Sequence, residues 1–157
     1  MYKTTGQDDT HALGQALGAQ LRPGDSLLLT GDLGAGKSVL ARGAARSLGV
    51  TGPMPSPTFT LMQPYHDGTA PVCHFDLYRI SDEDEFEAAG LAEFVGGGQV
   101  ALIEWPLEGL RVEPAVRLSI ARGALDEERL IDIRFEGIDE SRVTAIEAAL
   151  RQWEEQP

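Results

Sequence analysis

Apolar residues in this chain follow two patterns. Short continuous runs such as Leu27-Leu28-Leu29, Val72-Cys73-His74-Phe75 and Val100-Ala101-Leu102-Ile103 read as strands covered on both faces. Elsewhere the spacing is three to four. Leu13, Ala16, Leu17 and Leu21 predict a helix over residues 8–21, with Asp8, Asp9 and Thr10 in its first turn. Val39, Leu40, Ala44 and Leu48 predict a second over 36–48, stopped by Gly49. Strands are expected near 1–4, at 26–30, at 59–65 and 72–76 around the turn His66-Asp67-Gly68, and at 100–104. Period-2 alternation at 116–121 and 130–135, around Gly123-Ala124-Leu125-Asp126, predicts a hairpin. Ser81 is expected to cap a short acidic helix over 82–89, and a last helix spans 140–153. Pro53-Met54-Pro55-Ser56-Pro57 reads as an ordered loop, and Gly96-Gly97-Gly98 as a flexible connector.

No repeat or linker divides the chain, so residues 1–157 are expected to form one α/β domain with a largely parallel central sheet, plus a C-terminal β-hairpin and helix. At 42% apolar residues it can bury a core unaided. Cys73 is the one cysteine, which excludes an intrachain disulfide and a cysteine-rich metal site. No apolar run approaches the roughly 20 residues of a membrane span. Met1-Tyr2-Lys3-Thr4-Thr5 lacks a signal core, so a cytoplasmic protein with no membrane association is expected.

The loop between the second strand and the second helix changes the picture from fold to chemistry. Gly31-Asp32-Leu33-Gly34-Ala35-Gly36-Lys37-Ser38 matches G-x-x-x-x-G-K-[ST], the phosphate-loop (Walker A) pattern, and so predicts a P-loop NTPase-type sandwich. Glycines let successive amides turn toward phosphate oxygens, and the following helix adds its positive end. Lys37 supplies a mobile charge for the β- and γ-phosphates, and Ser38 a hydroxyl ligand for Mg²⁺.

Hydrolysis also needs an acid beside the metal, delivered by a neighbouring strand end. Two strands end in one: Glu104 and Asp76, of which Glu104 follows the more apolar run. Thr58, in the Pro-rich loop, is a candidate switch threonine over the γ-phosphate, and a plain loop threonine otherwise. Cys73 and His74 are expected on opposite faces of their strand, so they cannot share a metal, and none of His11, His66 and His74 is assigned to one. Trp105 is a candidate to stack on a base, or a rim aromatic. The chain contains no Asn, so the Asn-Lys-x-Asp signature of guanine readers is absent and ATP is favoured over GTP.

The formal net charge is -12, and the only lysines are Lys3 and Lys37. Phosphate backbones are held mainly by Lys and Arg, so independent grip on nucleic acid is not expected.

The phosphate loop, then Ser56-Pro57-Thr58-Phe59, then His74-Phe75-Asp76-Leu77-Tyr78-Arg79, then Ile103-Glu104-Trp105-Pro106, appear in this order. The set resembles the TsaE family, bacterial ATPases of tRNA threonylcarbamoyladenosine biosynthesis, over about residues 8–106. The resemblance implies binding of ATP and Mg²⁺ and slow hydrolysis by the protein alone. It implies work with a threonylcarbamoyl transferase subunit and its paralogous partner (TsaD- and TsaB-like proteins) on adenosine 37 of tRNA, with tRNA contact indirect. By that likeness Leu33, Gly34, Ala35, Gly36, Lys37 and Ser38 hold phosphate, and Glu104 joins Ser38 on the metal side. Asp76 is required for turnover, Thr58 belongs to a switch-like loop, Trp105 lies at the nucleotide, and backbone near Gly6 touches base or ribose. Ser38 stands where the family more often has Thr, and Leu107 where relatives often carry a polar residue. The two other readings of the residues are an ATP-dependent switch that does not need hydrolysis, and a small-molecule kinase.

Overall fold

The structure is a computed structural model that describes residues 1–156. Seven strands form one sheet: β1 (Tyr2–Thr4), β2 (Ser26–Gly31), β3 (Met62–Tyr65), β4 (Val72–Asp76), β5 (Val100–Glu104), β6 (Ala115–Arg122) and β7 (Arg129–Glu136). Their order is β1-β7-β6-β2-β5-β4-β3. The centre, β6-β2-β5-β4, is parallel throughout, and antiparallel strands close both sides. The expected hairpin exists, and its first strand is a member of the parallel centre, hydrogen-bonded along the full length of β2.

Alternation along the central strands builds two cores. Leu27, Leu29, Val72, Val100, Leu102, Val116 and Leu118 face α1 (Gln7–Gly18), α2 (Lys37–Ser47) and α4 (Glu140–Ala149). Leu28, Cys73, Phe75, Ala101 and Ile103 face α3 (Glu83–Ala88) and the loops around it, through Phe86, Leu91, Leu107 and Leu110. Covering both faces is why the strands read as continuous apolar runs.

The helices α1 and α2 approach backbone to backbone. A Cβ on Gly14 would lie 2.3 Å from the Leu40 carbonyl oxygen, and one on Gly43 2.2 Å from that of His11. No side chain fits there, so these glycines set the distance between the two helices. At the other end of β2, the buried Asp25 pairs with Arg142 of α4 at 2.6 Å and accepts from the Arg22 amide at 2.9 Å. This satisfies a carboxylate that would otherwise be costly to bury.

Three expectations are corrected in detail. The strand expected from residue 59 begins only at Met62, because residues 58–60 form a turn closed by the Leu61 amide on the Pro57 carbonyl (2.8 Å), with Leu61 at φ 68. Asp82, not Ser81, caps α3: its carboxylate accepts from the Glu85 amide at 2.8 Å, while Glu85 reaches back to the Ser81 amide at 3.0 Å. The last helix ends at Ala149, and a 3-10 turn carries the chain through Trp153.

Candidate functional site

The carboxyl ends of β2, β4 and β5 lie flush. In the parallel register Leu29 stands beside Glu104, and Glu104 beside Asp76. Strand alternation sends His74, Asp76 and Glu104 to the face that carries α2, away from Cys73 and Phe75. The chain leaving β2 turns through Gly31–Ser38 into α2, whose first-turn amides have no intrahelical acceptor. That site at sheet ends, next to a helix N-terminus, is where open α/β sheets present ligand crevices.

The loop could not be built from other residues. Gly34 and Gly36 have φ 78 and 112. At Gly31 a Cβ would meet the Ile120 carbonyl oxygen at 2.5 Å. Four of the loop's carbonyls are occupied by cations. Lys37 Nζ donates to the Gly31 oxygen at 2.6 Å and the Asp32 oxygen at 2.9 Å. From the β6–β7 hairpin, Arg122 reaches the Gly34 oxygen at 3.4 Å and Arg129 Nε the Ala35 oxygen at 2.8 Å.

A cleft of about 430 Å³ opens at this point. Every proposed chemical side chain reaches it: Lys37, Ser38, Thr58, Asp76, Glu104 and Trp105 line it, with Leu33, Gly34 and Gly36 of the loop. Lys37 is 4% exposed, and its Nζ lies 4.1 Å from the centroid of the Trp105 ring. Burial pushes its ammonium below the ordinary lysine range, with Glu104, Asp76 and Asp32 opposing that shift. Trp105 takes a left-handed φ of 54, and Tyr78 packs edge-on against its ring at 4.9 Å. A tryptophan at positive φ is strained backbone of the kind concentrated at functional sites.

The carboxylates have different partners. Glu104 Oε1 accepts from Ser38 Oγ at 2.8 Å, and Oε2 meets His74 Nε2 at 2.6 Å. Asp76 accepts from the Tyr78 amide at 3.0 Å and from Thr58 Oγ1 at 3.3 Å, so it holds the Pro-rich loop. Ser38 and Glu104 are hard oxygen donors at hydrogen-bond distance. Among the described residues no three His, Cys, Asp or Glu side chains gather as a metal cage. That donor set suits Mg²⁺, which is commonly held by one or two protein oxygens together with phosphate and water.

Two predicted contacts stand back from the cleft. Ala35 is buried, and Gly6 caps α1 while its neighbours Gln7 and Thr10 reach the lining. Reading the sequence missed His74, which is fully buried behind Glu104, and Arg129 and Glu127, which line the cleft from the hairpin. A lone histidine in a strand gives no local signal. The hairpin residues reach the loop only because β6 joins the sheet beside β2. Cys73, on the opposite face from His74 as expected, is buried, and burial pushes its thiol above the ordinary range.

The resemblance in the motifs is matched by comparison with known proteins. Residues 4–131 match the family model described as threonylcarbamoyl adenosine biosynthesis protein TsaE. The tRNA threonylcarbamoyladenosine biosynthesis protein TsaE of Bacillus subtilis is 42% identical over 131 residues, covering 83% of this chain and 82% of that one. The protein of the same name from Mycobacterium bovis is 37% identical over 142 residues, covering 85% and 77%. The fold agrees as well: a crystal structure of YdiB from Bacillus subtilis superposes with a TM-score of 0.76 at 32% identity, covering 96% of this chain and 93% of that one. With its motifs in one cleft, most of its length matched and its fold shared, the chain belongs to the TsaE family of threonylcarbamoyl adenosine biosynthesis proteins.

Proposed function

We propose that the protein binds ATP with Mg²⁺ in this cleft and hydrolyses it, as the energising subunit of the machinery that makes threonylcarbamoyladenosine in tRNA. One observation carries the reading. Lys37, the Ser38–Glu104 pair and the Thr58–Asp76 pair converge on a glycine-rich loop at the ends of parallel strands. Loop amides and Lys37 take the β- and γ-phosphates. Ser38 and Glu104 would hold Mg²⁺, which offsets the charge that builds on the phosphate oxygens. Asp76 and Thr58 orient the water whose oxygen attacks the γ-phosphorus. The bond from that phosphorus to the β–γ bridging oxygen breaks, leaving ADP and inorganic phosphate, and the proton of the water goes to phosphate or solvent.

The relatives are named for tRNA threonylcarbamoyladenosine biosynthesis, and this chain acts in the same modification. A chain of net charge -12 is a poor tRNA holder by itself. It works as a cytoplasmic protein docked on the transferase and its paralogue, TsaD- and TsaB-like proteins, which carry the tRNA. Among the described residues no helix is long and apolar enough to cross a membrane.

A second reading has its own observation. The Thr58–Asp76 and Ser56–Thr58 hydrogen bonds tie the Pro-rich loop to the cleft, so bound ATP alone would rearrange that loop for a partner. Glu104→Gln separates the two. Loss of several kcal/mol of transition-state stabilisation should slow hydrolysis roughly 100-fold or more while ATP still binds. If modification by the reconstituted partners then stops, turnover is the function. If modification continues at the wild-type rate, the switch reading replaces it.

A further inference from the structure

His74 is a misfit in the core. It is fully buried on β4, between Val72 and Asp76, and stands beside Leu102 of β5 in the register. An aliphatic residue would serve packing there better, since the ring's Nδ1 has no hydrogen-bond partner within the protein. The other nitrogen has one partner, Oε2 of Glu104 at 2.6 Å. A carboxylate only accepts, so Nε2 carries the hydrogen and donates it.

The consequence falls on Glu104. A carboxylate at a strand end can rotate about its last torsion, since such torsions are broad. With Oε2 held by His74 and Oε1 accepting from Ser38 at 2.8 Å, Glu104 is fixed at both oxygens and buried. The line His74–Glu104–Ser38 therefore runs from the sheet interior to the first turn of α2.

We propose that His74 is a positioning residue: its Nε2–H locks the Glu104 carboxylate in the orientation that serves the metal bound with nucleotide. The inference rests on the proposed Mg²⁺-ATP reading of the cleft and adds to it the residue that sets metal affinity from behind. Hydrogen-bond partners behind metal-ligating carboxylates contribute about 10- to 100-fold in metal affinity.

The test compares wild type, His74→Leu and His74→Gln by two measurements. One is ADP affinity without divalent metal, by calorimetry. The other is Mn²⁺ affinity of the ADP complex, by electron paramagnetic resonance. Leucine suits the apolar surroundings and removes the donor, while glutamine keeps an amide donor near the position of Nε2. For His74→Leu the expected result is Mn²⁺ affinity weaker by about 10- to 100-fold, with metal-free ADP affinity within about twofold of wild type. His74→Gln should recover most of the metal affinity. Unchanged Mn²⁺ affinity in His74→Leu, beside a wild type that binds ADP and Mn²⁺, overturns the inference and leaves the nucleotide reading intact. Equal losses in both variants that extend to metal-free ADP also overturn it, by showing a structural role. A wild type that binds neither ADP nor Mn²⁺ brings down the nucleotide reading and this inference together.

Discussion

Adjacent residues of one strand, Cys73 and His74, show how differently the two faces of this sheet are used. On the Cys73 side Leu28, Phe75, Ala101 and Ile103 pack beneath Phe86 of a six-residue helix and the loops beside it, and no carboxylate stands at the ends of β4 and β5 on that face. The His74 side carries Asp76 and Glu104 at its strand ends, and the helix that starts at Lys37 packs on it. Both faces bury an apolar core, the larger one on the side of α1 and α2. Chemistry is confined to the face whose helix begins beside the strand ends, because only there do helix amides, Lys37 and strand-end carboxylates meet. Sequence neighbours are thus separated by the thickness of the sheet, while residues 38, 76 and 104 are assembled across it.

The comparison can be broken most forcefully at the helix contact. Gly43→Val places a side chain where only 2.2 Å separates its Cβ from the His11 carbonyl oxygen, so α1 and α2 must part. Overpacking of this kind costs about 3 kcal/mol. Thermal unfolding should show that loss, and ATP affinity should fall with it, because α1 carries Gln7 and Thr10 into the cleft.

On the other face, Phe86→Ala removes a buried ring that packs on Phe75 with centroids 6.4 Å apart. The expected loss of stability is of the same order, about 3 kcal/mol by denaturant unfolding. Here ATP affinity, measured well below the transition, should stay at the wild-type value. A fall in affinity would mean that the two faces are not functionally separate.

Cys73→Ala should cost about 1 kcal/mol and leave binding unchanged. Because burial raises the thiol, little thiolate forms near neutrality, so alkylation of the native protein should be slow and should accelerate on unfolding.

The smallest effect is expected far from the site, at the cap of α4. Hydrogen bonds from the Ser141 hydroxyl and then the Arg142 amide hold the Asp139 carboxyl below its ordinary value of 3.8. A depressed folded value means that its contribution is present above the ordinary value and is lost as pH falls through the folded one. Asp139→Ala should therefore melt below wild type near neutrality, with the gap closing in acid. A gap independent of pH would remove the charge from that account.

Strands buried on both faces were legible because continuous apolar runs bounded by turns have few alternatives. The ranges expected at 72–76 and 100–104 are those observed. The glycine-rich loop was legible because its fixed positions all fall within eight consecutive residues, Gly31 to Ser38. Glu104 and Asp76 were legible as strand ends, while their hydrogen-bond partners were not legible from spacing. Which acid lies beside Ser38 and which beside Thr58 depends on strand register and the path of the Pro-rich loop. The hairpin was legible as a hairpin, while its parallel pairing with β2 is a long-range contact without local periodicity. Hence Arg122, Glu127 and Arg129 could not be placed at the loop beforehand. The glycines of α1 and α2 give no signal until two helices are seen touching at them.

The central claim is that this cleft takes nucleotide phosphate through Lys37. Calorimetric titration of ATP with Mg²⁺ into wild type and Lys37→Ala tests it most directly. A hydrogen bond to a charged group contributes about 1.5–3 kcal/mol, so the account predicts saturable binding to wild type and affinity lower by about 10- to 100-fold in the variant. Equal affinities in the two proteins, or no binding to wild type, would contradict it.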